Sequence, residues 1–145
     1  MDLDNLNSVP ERGNSLVVRT DFEDQERWKT VLQLLRNPVQ EFGYTLYAHL
    51  DVVEDKVCRN MPVEKLLAAL PRHYRYSFLF VVDDLTIRDD EFPVLVIDLR
   101  HERGRTFRAL PSQVQSIENN LSIANLDFFE FADAADKDGV FRGFR

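Results

Sequence analysis

The segment FLFVVDD, Phe78 to Asp84, places two adjacent carboxylates directly after five apolar residues. Asp21 follows another apolar run, SLVVRT, in a similar way. In an open α/β sheet, ligands bind beyond the carboxyl ends of the strands. If these two runs are neighbouring parallel strands, the three carboxylates converge, and Mg²⁺ prefers such oxygen ligands. The pattern is therefore a hypothesis for a magnesium-dependent hydrolase or phosphoryl-transfer site at Asp21, Asp83 and Asp84.

The same aspartates have a structural interpretation, which we favour. Asp21 can support the N-terminus of a following helix through the helix dipole, and Asp83 and Asp84 can begin a turn into LTIRDDEFP. A receiver-like or phosphatase-like site also needs residues that the chain does not offer. No Asp-x-Asp pair follows the first apolar run, and no clear lysine follows a later one. We therefore predict no metal site, no catalytic residue and no cofactor.

A basic cluster occurs in this otherwise acidic chain. Its five members within nine positions are Arg100, His101, Arg103, Arg105 and Arg108. At the tip of a hairpin, Arg103 and Arg105 could bind a carboxylate or a phosphate in a bidentate manner. The alternative, which we favour, is a solvated turn whose arginines pair with Asp98 and Glu102. Arg100, Arg103 and Arg105 stay candidate contacts for a partner.

The segment ENNLSIAN, residues 118–125, is polar although it continues a helical pattern. Asparagine is a poor helix former, and Glu118, Ser122 and Asn125 share one stripe at i, i+4 and i+7. Either this stripe fixes loops through internal hydrogen bonds, or it is a recognition surface. We favour internal bonding, because half-buried polar groups need partners. As a recognition surface, it would present Glu118, Asn119 and Asn120 to a partner.

Alternating strands and helices must position these residues. The apolar pattern predicts strands at 15–20, 44–53 and 77–82, with helices between them. The first helix has a capping box at Thr20 and Glu23, and Pro62 fits the first position of the second helix. The near-continuous apolar run of the third strand indicates that both of its faces are covered. Two βαβ units account for this order.

A hairpin is predicted next, from VLVIDLR and TFRALP with Gly104 in the left-handed position of a short loop. With a three-residue loop, Leu99 faces Phe107 and Asp98 faces Arg108. Two helices follow, with the capping-box patterns SQVQ and DFFE, and the apolar tail FRGF is expected to dock. The sum is one α/β domain with a mixed β-sheet, in which βαβαβ is followed by a β-hairpin and C-terminal helices.

Composition limits the class of protein. A chain of 145 residues that is 44% hydrophobic can bury one proper core, and we expect one domain at residues 15–145 after a flexible leader at 1–14. The net charge of −7 disfavours nucleic acid as a partner. No apolar run is long enough to span a membrane, and the N-terminus lacks the pattern of a signal peptide. We expect a soluble, cytoplasmic protein, and a lone Cys58 makes no internal disulfide.

Three blocks of the chain carry a resemblance to a known family. These blocks are SFLFVVDD, LVIDLRHERGRTFRALP and SIENNLSIANLDFFEFADAADKDGVFRGF, and LVVRTDFEDQERW near the N-terminus is similar as well. Over roughly residues 16–144 the chain resembles a bacterial family of small stand-alone domains of unknown function. The resemblance implies a compact α/β domain, and it implies no activity, catalytic residue or partner.

Taken together, these patterns favour a non-enzymatic protein-interaction or regulatory domain, such as an immunity-like inhibitor, with an unidentified protein partner. The alternative is the magnesium-dependent hydrolase or phosphoryl-transfer domain that uses Asp21, Asp83 and Asp84. A third hypothesis is a sensor of small anions at Arg103 and Arg105. The sequence leaves homo-oligomer formation open.

Overall fold

The computed structural model describes residues 13–145, which fold around one mixed β-sheet. The strands of this region are β1 (Ser15–Arg19), β2 (Val39–Glu41), β3 (Tyr44–Leu46), β4 (Leu50–Val53), β5 (Phe78–Val82), β6 (Val94–Asp98), β7 (Thr106–Ala109) and β8 (Val140–Phe141). Its α-helices are α1 (Gln25–Arg36), α2 (Val63–Ala69), α3 (Asp84–Arg88), α4 (Pro111–Ser122) and α5 (Phe128–Asp133). Residues 1–12 of the predicted leader lie outside the described region. Asn14, which the leader also included, donates hydrogen bonds to the Asp51 carboxylate.

The main sheet has the strand order β4-β1-β5-β6-β7-β8. β1 lies between β4 and β5 and is parallel to both, whereas β6 is antiparallel to β5 and to β7. The predicted α/β fold, with βαβαβ followed by an antiparallel hairpin, is confirmed. All five residues of β5 are buried, as its continuous apolar run predicts, because strands lie on both sides of it and helices cover both of its faces.

Two apolar clusters lie on opposite faces of the sheet, since successive side chains of a strand point to opposite sides. The larger cluster lies under α1, α4 and α5, where Trp28 and Phe131 join Phe80 of β5. The smaller cluster lies under α2, where Leu66 joins Leu79 of β5. Full burial of one such large apolar side chain stabilises the fold by about 1.5–3 kcal/mol. None of the helices within residues 13–145 has the length and apolar character needed to cross a bilayer.

The predicted start of α1 is wrong. Asp24, not Thr20, is the N-cap residue, and its carboxylate accepts a hydrogen bond from the backbone N–H of Arg27 at 3.0 Å. Thr20 instead extends the edge of the sheet, because its own N–H donates to the carbonyl of Val82. Both residue types are good caps, so tertiary hydrogen bonding decided between them.

The predicted start of α4 is wrong as well. The helix begins at Pro111 rather than after Ser112, and proline suits a first helical position because its missing N–H would have no partner there. The capping box of α5 is confirmed, since the backbone N–H of Asp127 donates to the carboxylate of Glu130 at 2.8 Å.

The β6–β7 hairpin is confirmed, but its predicted register is wrong. Arg108 faces Leu95, three positions before the predicted Asp98. Gly104 does have the predicted positive φ, at 96°. The loop is longer than predicted because the Asp98 carboxylate binds three of its backbone N–H groups, those of Arg100, His101 and Glu102. These bonds hold residues 99–104 outside the ladder between β6 and β7.

The single strand predicted at residues 44–53 is two strands in different sheets. β3 pairs with β2 in a separate two-stranded hairpin, and β4 joins the main sheet. Phe42 and Gly43 connect β2 to β3 with φ values of 53° and 78°. Positive φ at both central residues is what a two-residue type I′ turn requires. The turn was missed because phenylalanine is an unusual residue at the first of these positions.

The C-terminal tail docks, as predicted. Val140 and Phe141 form β8, which pairs in parallel with β7. The Phe144 ring lies 5.2 Å from that of Phe131 and 5.0 Å from that of Phe141, measured between ring centroids. These ring contacts attach the tail to α5.

Candidate functional site

The carboxyl ends of β1 and β5 lie side by side, because these strands are parallel neighbours. They form one edge of the sheet, where its strands end, as distinct from an outer strand. Two clefts border this edge. Asp83 and Asp84 line a cleft of about 340 Å³, together with Thr20 and Asn60. Asp21 and Asp84 line a second cleft of about 560 Å³. The strand order thus groups the three predicted aspartates around one edge, with Asp84 between the clefts.

Asp83 is bound within the fold through both carboxylate oxygens. It caps α3 by accepting a hydrogen bond from the backbone N–H of Thr86 at 3.1 Å, and the Thr86 hydroxyl lies 3.0 Å from the same carboxylate oxygen. The Arg108 guanidinium adds a bidentate contact, with N···O distances of 2.9 and 2.7 Å. Burial disfavours the charged form of Asp83, but the hydrogen bonds and charge of Arg108, together with Thr86, outweigh it and lower the pKa of this carboxyl. A role as base or metal ligand would require that the ion pair with Arg108 be broken.

The other two aspartates also have structural partners. Asp84 is exposed and forms an ion pair one helical turn away with Arg88, at 3.0 Å. Asp21 accepts a hydrogen bond from the N–H of Glu23 just before α1. Within residues 13–145 no group of three or more His, Cys, Asp or Glu side chains is placed to hold a metal ion. Asp83 is the N-cap and Asp84 the first residue of helix α3, so a short helix stands where the sequence predicted the start of a turn.

Arg108 is the residue of this site that sequence reasoning assigned to the wrong partner. It was predicted to face Asp98, and instead it crosses from β7 to Asp83 at the end of β5. Arg108 and Thr86 also donate to the same carbonyl, that of Pro93. The four residues Asp83, Thr86, Pro93 and Arg108 therefore connect α3 to β6 and β7. No local sequence pattern identifies this connection, because it depends on the register of the hairpin.

The basic cluster of the β6–β7 loop does not act as one group. Arg105 forms ion pairs with Asp133 at 2.7 Å and with Glu102 at 3.3 Å, and the pair with Glu102 was predicted. Arg103 donates instead to two backbone carbonyls, and Arg100 is exposed. A joint anion site at Arg103 and Arg105 would have to displace the carboxylates that already bind Arg105.

The polar stripe of α4 is used for internal hydrogen bonds, as we favoured. Glu118 is 2% exposed, and its carboxylate accepts hydrogen bonds from the backbone N–H of His49 and the hydroxyl of Ser122. Asn119 donates to the carbonyl of Tyr47 at 3.1 Å. Together these contacts attach the segment before β4 to α4.

Asn120 serves the C-terminal end of the same helix. Its amide donates to the carbonyl of Ser116 and accepts from the side chain of Asn125, both at 2.8 Å. The asparagines therefore stabilise the end of α4 and the turn after it, which offsets their poor helix propensity.

The β2–β3 hairpin, with Tyr47 directly after it, carries exposed aromatic side chains that sequence reasoning missed. Phe42, Tyr44 and Tyr47 are 89%, 70% and 51% exposed, and the hairpin has no strand pairing with the main sheet. A bulky residue with positive φ, such as Phe42, is a conformational outlier. Phe92 has a similar φ of 51°, but its ring is half-buried under the Arg27 guanidinium. Phe42 gains little packing of this kind, because nearly all of its side chain faces solvent.

Comparison with known proteins agrees with the resemblance noted in the sequence. Residues 14–144 match the model of a family described as a domain of unknown function, DUF6924. No curated protein matches the chain. The match covers nearly the whole of the described region, and it assigns no role to any of the residues above.

Proposed function

We propose that this chain, which belongs to the DUF6924 family of domains of unknown function, acts by binding another protein through the β2–β3 hairpin. Its role is that of a regulator or an immunity-like inhibitor, and it needs no catalysis. The observation that supports this proposal is the exposed Phe42 ring at the hairpin tip, held in left-handed backbone. Tyr44 and Tyr47, which follow it closely in the chain, are exposed aromatic side chains as well.

The energetics of Phe42 favour a role outside the fold. A left-handed conformation costs a residue with a side chain roughly 1–2 kcal/mol, and a ring that is 89% exposed returns little of this by burial. Burial of a phenylalanine in a partner's pocket would contribute about 1.5–3 kcal/mol. Large aromatic side chains that fill pockets are typical anchors of protein interfaces. The strained turn therefore presents an anchor in a fixed direction.

The expected partner has an apolar pocket surrounded by basic residues. The chain carries a net charge of −7, and complementary charge accelerates association and disfavours wrong partners. Glu41, next to the tip, is exposed and adds a local negative charge. A basic protein surface is thus the best match in charge, and an apolar pocket is the best match for the tip.

The contacts of the ionisable residues support an interaction role over catalysis. Asp83 is paired with Arg108. Its lowered pKa makes it a weak base. Asp84 is paired with Arg88. A magnesium-dependent role for Asp21, Asp83 and Asp84 would require these pairs to rearrange.

The test is affinity capture from a native bacterial lysate, followed by calorimetry of the purified complex. Phe42→Ala removes the ring and keeps the left-handed strain. We expect it to weaken binding by roughly tenfold to a hundredfold, since each 1.4 kcal/mol is a factor of ten. The matched control is Phe129→Ala, because Phe129 is 49% exposed and lies on α5, outside the hairpin. The control is expected to bind like the wild type.

Equal affinity of the wild type and Phe42→Ala would contradict the proposal, as would equal losses in both variants. Self-association of the purified chain that Phe42→Ala abolishes would identify a second copy as the partner and contradict a different protein. A titration with Mg²⁺ tests the enzymatic alternative. Localised amide shifts at Asp21, Asp83 and Asp84 at millimolar metal would favour the phosphoryl-transfer hypothesis instead.

A further inference from the structure

A small pocket with basic walls lies at the opposite edge of the sheet, beside the amino end of β5. Its volume is about 240 Å³, and it is formed by the segment before β5 and the loop after β6. Its polar lining residues are Arg72, Tyr74, Tyr76 and Arg103, and no Asp or Glu is among its lining residues. Two guanidinium groups and two aromatic rings therefore line this pocket without a carboxylate.

The arginines around this pocket differ from most others in the described chain. Eight arginines of residues 13–145 form ion pairs with Asp or Glu. The arginines of the same region without such a pair are Arg36, Arg72, Arg75, Arg100 and Arg103. All of these except Arg36 belong to the two segments that border the pocket. Positive charge without a matching carboxylate is therefore concentrated at this edge, although the chain as a whole is acidic.

Arg103 is held in place by backbone groups. Its guanidinium donates to the carbonyls of Leu99 and Leu67 at 3.0 and 3.3 Å. The contact with Leu67 places it near the C-terminal end of α2, where cations are favoured. Carbonyl groups fix the orientation of the guanidinium but carry no net charge to neutralise it. Since a guanidinium has five N–H donors, three remain for a ligand.

The aromatic walls are also fixed. The Tyr74 hydroxyl accepts a hydrogen bond from the N–H of Leu16, and the Tyr76 hydroxyl donates to the carbonyl of Gly13. The tyrosines therefore contribute their ring surfaces to the pocket, and the Arg75 guanidinium lies over the Tyr76 ring at 4.9 Å. Burial raises the pKa of the Tyr74 hydroxyl, so this group stays neutral and does not repel a bound anion.

We propose that this pocket binds the phosphoryl group of a small phosphate ester, with Arg72 and Arg103 as the phosphate ligands. An arginine guanidinium can bind two phosphate oxygens in a bidentate manner. The two negative charges of a phosphate ester can be balanced by two guanidinium groups that have no carboxylate partner. The volume is below the roughly 300 Å³ of sites for drug-sized ligands, so the site fits a phosphoryl group and an adjoining ring. The sequence suggested Arg103 and Arg105 for an anion site. In the proposed site, the second arginine is Arg72, from the segment before β5.

The test is a titration of the 145-residue chain with inorganic phosphate and with phenyl phosphate, followed by calorimetry and backbone amide shifts. Sodium chloride at equal ionic strength is the reference, because salt screens charges without binding specifically. We expect amide shifts at residues 70–76 and 99–103. Loss of one charge-assisted contact in Arg72→Gln should weaken binding by roughly tenfold. Arg36→Gln is the matched control, since it removes an exposed, unpaired arginine at the end of α1.

Shifts at these residues with either phosphate, and a selective loss in Arg72→Gln, would support the site. Tighter binding of phenyl phosphate would assign a contribution to the tyrosine rings, whereas equal binding would restrict recognition to the phosphoryl group. Absence of binding, reproduction of the shifts by chloride, or equal losses in both arginine variants would overturn the proposal. Phe42→Ala should leave phosphate binding unchanged, so this inference stands or fails independently of the hairpin.

Discussion

Replacement of Asp83 by asparagine tests whether this residue is structural. The variant removes the negative charge that faces Arg108, while asparagine keeps an oxygen able to cap α3. The exposed fractions of the Asp83 and Arg108 side chains are only 19% and 18%. In the wild type the two groups share a bidentate contact at 2.9 and 2.7 Å. The substitution thus leaves the guanidinium largely buried without a counter-charge.

The expected loss lies between two known limits. Breaking a fully buried ion pair costs about 3–5 kcal/mol, whereas an exposed pair contributes about 0–1 kcal/mol. With about a fifth of each side chain in solvent, we expect Asp83→Asn to lower the free energy of unfolding by roughly 2–3 kcal/mol. That is a large part of the roughly 5–15 kcal/mol that stabilises a typical domain. Asp83→Ala should cost about 1 kcal/mol more, because it also removes the cap.

The measurement is urea unfolding at pH 7, followed by the fluorescence of Trp28, the chain's one tryptophan. A double-mutant cycle with Arg108→Gln isolates the interaction, and we expect a coupling energy of roughly 2 kcal/mol. Asp84→Asn is the matched control, because its pair with Arg88 is exposed and is worth less than about 0.5 kcal/mol. If Asp83→Asn costs no more than this control, the structural reasoning is refuted and Asp83 is free for other chemistry.

The same pair predicts the pH dependence of stability. The folded state lowers the pKa of Asp83 below its ordinary value of about 3.8, so the unfolded state binds the proton more readily. The stabilisation is therefore fully present above the unfolded pKa and is lost as the pH falls through the folded value. The difference in unfolding free energy between the wild type and Asp83→Asn should be constant near pH 7 and should shrink below about pH 4. A difference that stays constant down to pH 2 would contradict this assignment.

Three further substitutions test other parts of the fold. Glu118→Ala should lower the free energy of unfolding by roughly 2–3 kcal/mol. It should also speed hydrogen exchange at the His49 amide, which donates to Glu118. An unchanged exchange rate would contradict the role of Glu118 in attaching the segment before β4 to α4. Phe42→Asn should raise stability by about 0.5–1 kcal/mol, because asparagine tolerates left-handed backbone; a loss of stability in urea would show that the ring packs within the fold. Arg19→Lys should lower the free energy of unfolding by roughly 2 kcal/mol and alter the fluorescence emission of Trp28. The reason is that lysine cannot replace the planar guanidinium, which lies 4.7 Å from the Trp28 ring. Identical emission spectra would argue against this stacking.

Elements specified by near neighbours in the sequence were predicted well. The buried strand β5 follows from its continuous apolar run, and α1 follows from the helical spacing of Trp28, Val31 and Leu35. The cap of α5 at Asp127 is equally local. The β2–β3 hairpin was missed although EFGY marks its two-residue turn, because phenylalanine seldom occupies the left-handed position before the glycine.

The candidate sites depended more on the tertiary structure. The sequence placed Asp21 and Asp83 after two apolar strands, and parallel pairing does bring them to one edge. It could not show that Arg108, 25 residues after Asp83, binds that carboxylate. Nor could it pair Arg72 with Arg103, which lie on different loops and line one pocket.

The sequence by itself determined β1, α1, α2, β5 and the β6–β7 hairpin in their order, together with the apolar faces that form the core. It did not determine the β2–β3 hairpin or the helix α3. The tertiary structure decided which charged groups meet. The physical reason is visible at Asp98, whose carboxylate binds three backbone N–H groups of the following loop and so sets the register of β6 against β7. That register moves Arg108 away from Asp98 and towards Asp83. FLFVVDD therefore ends in one aspartate that fixes the fold and one that faces solvent.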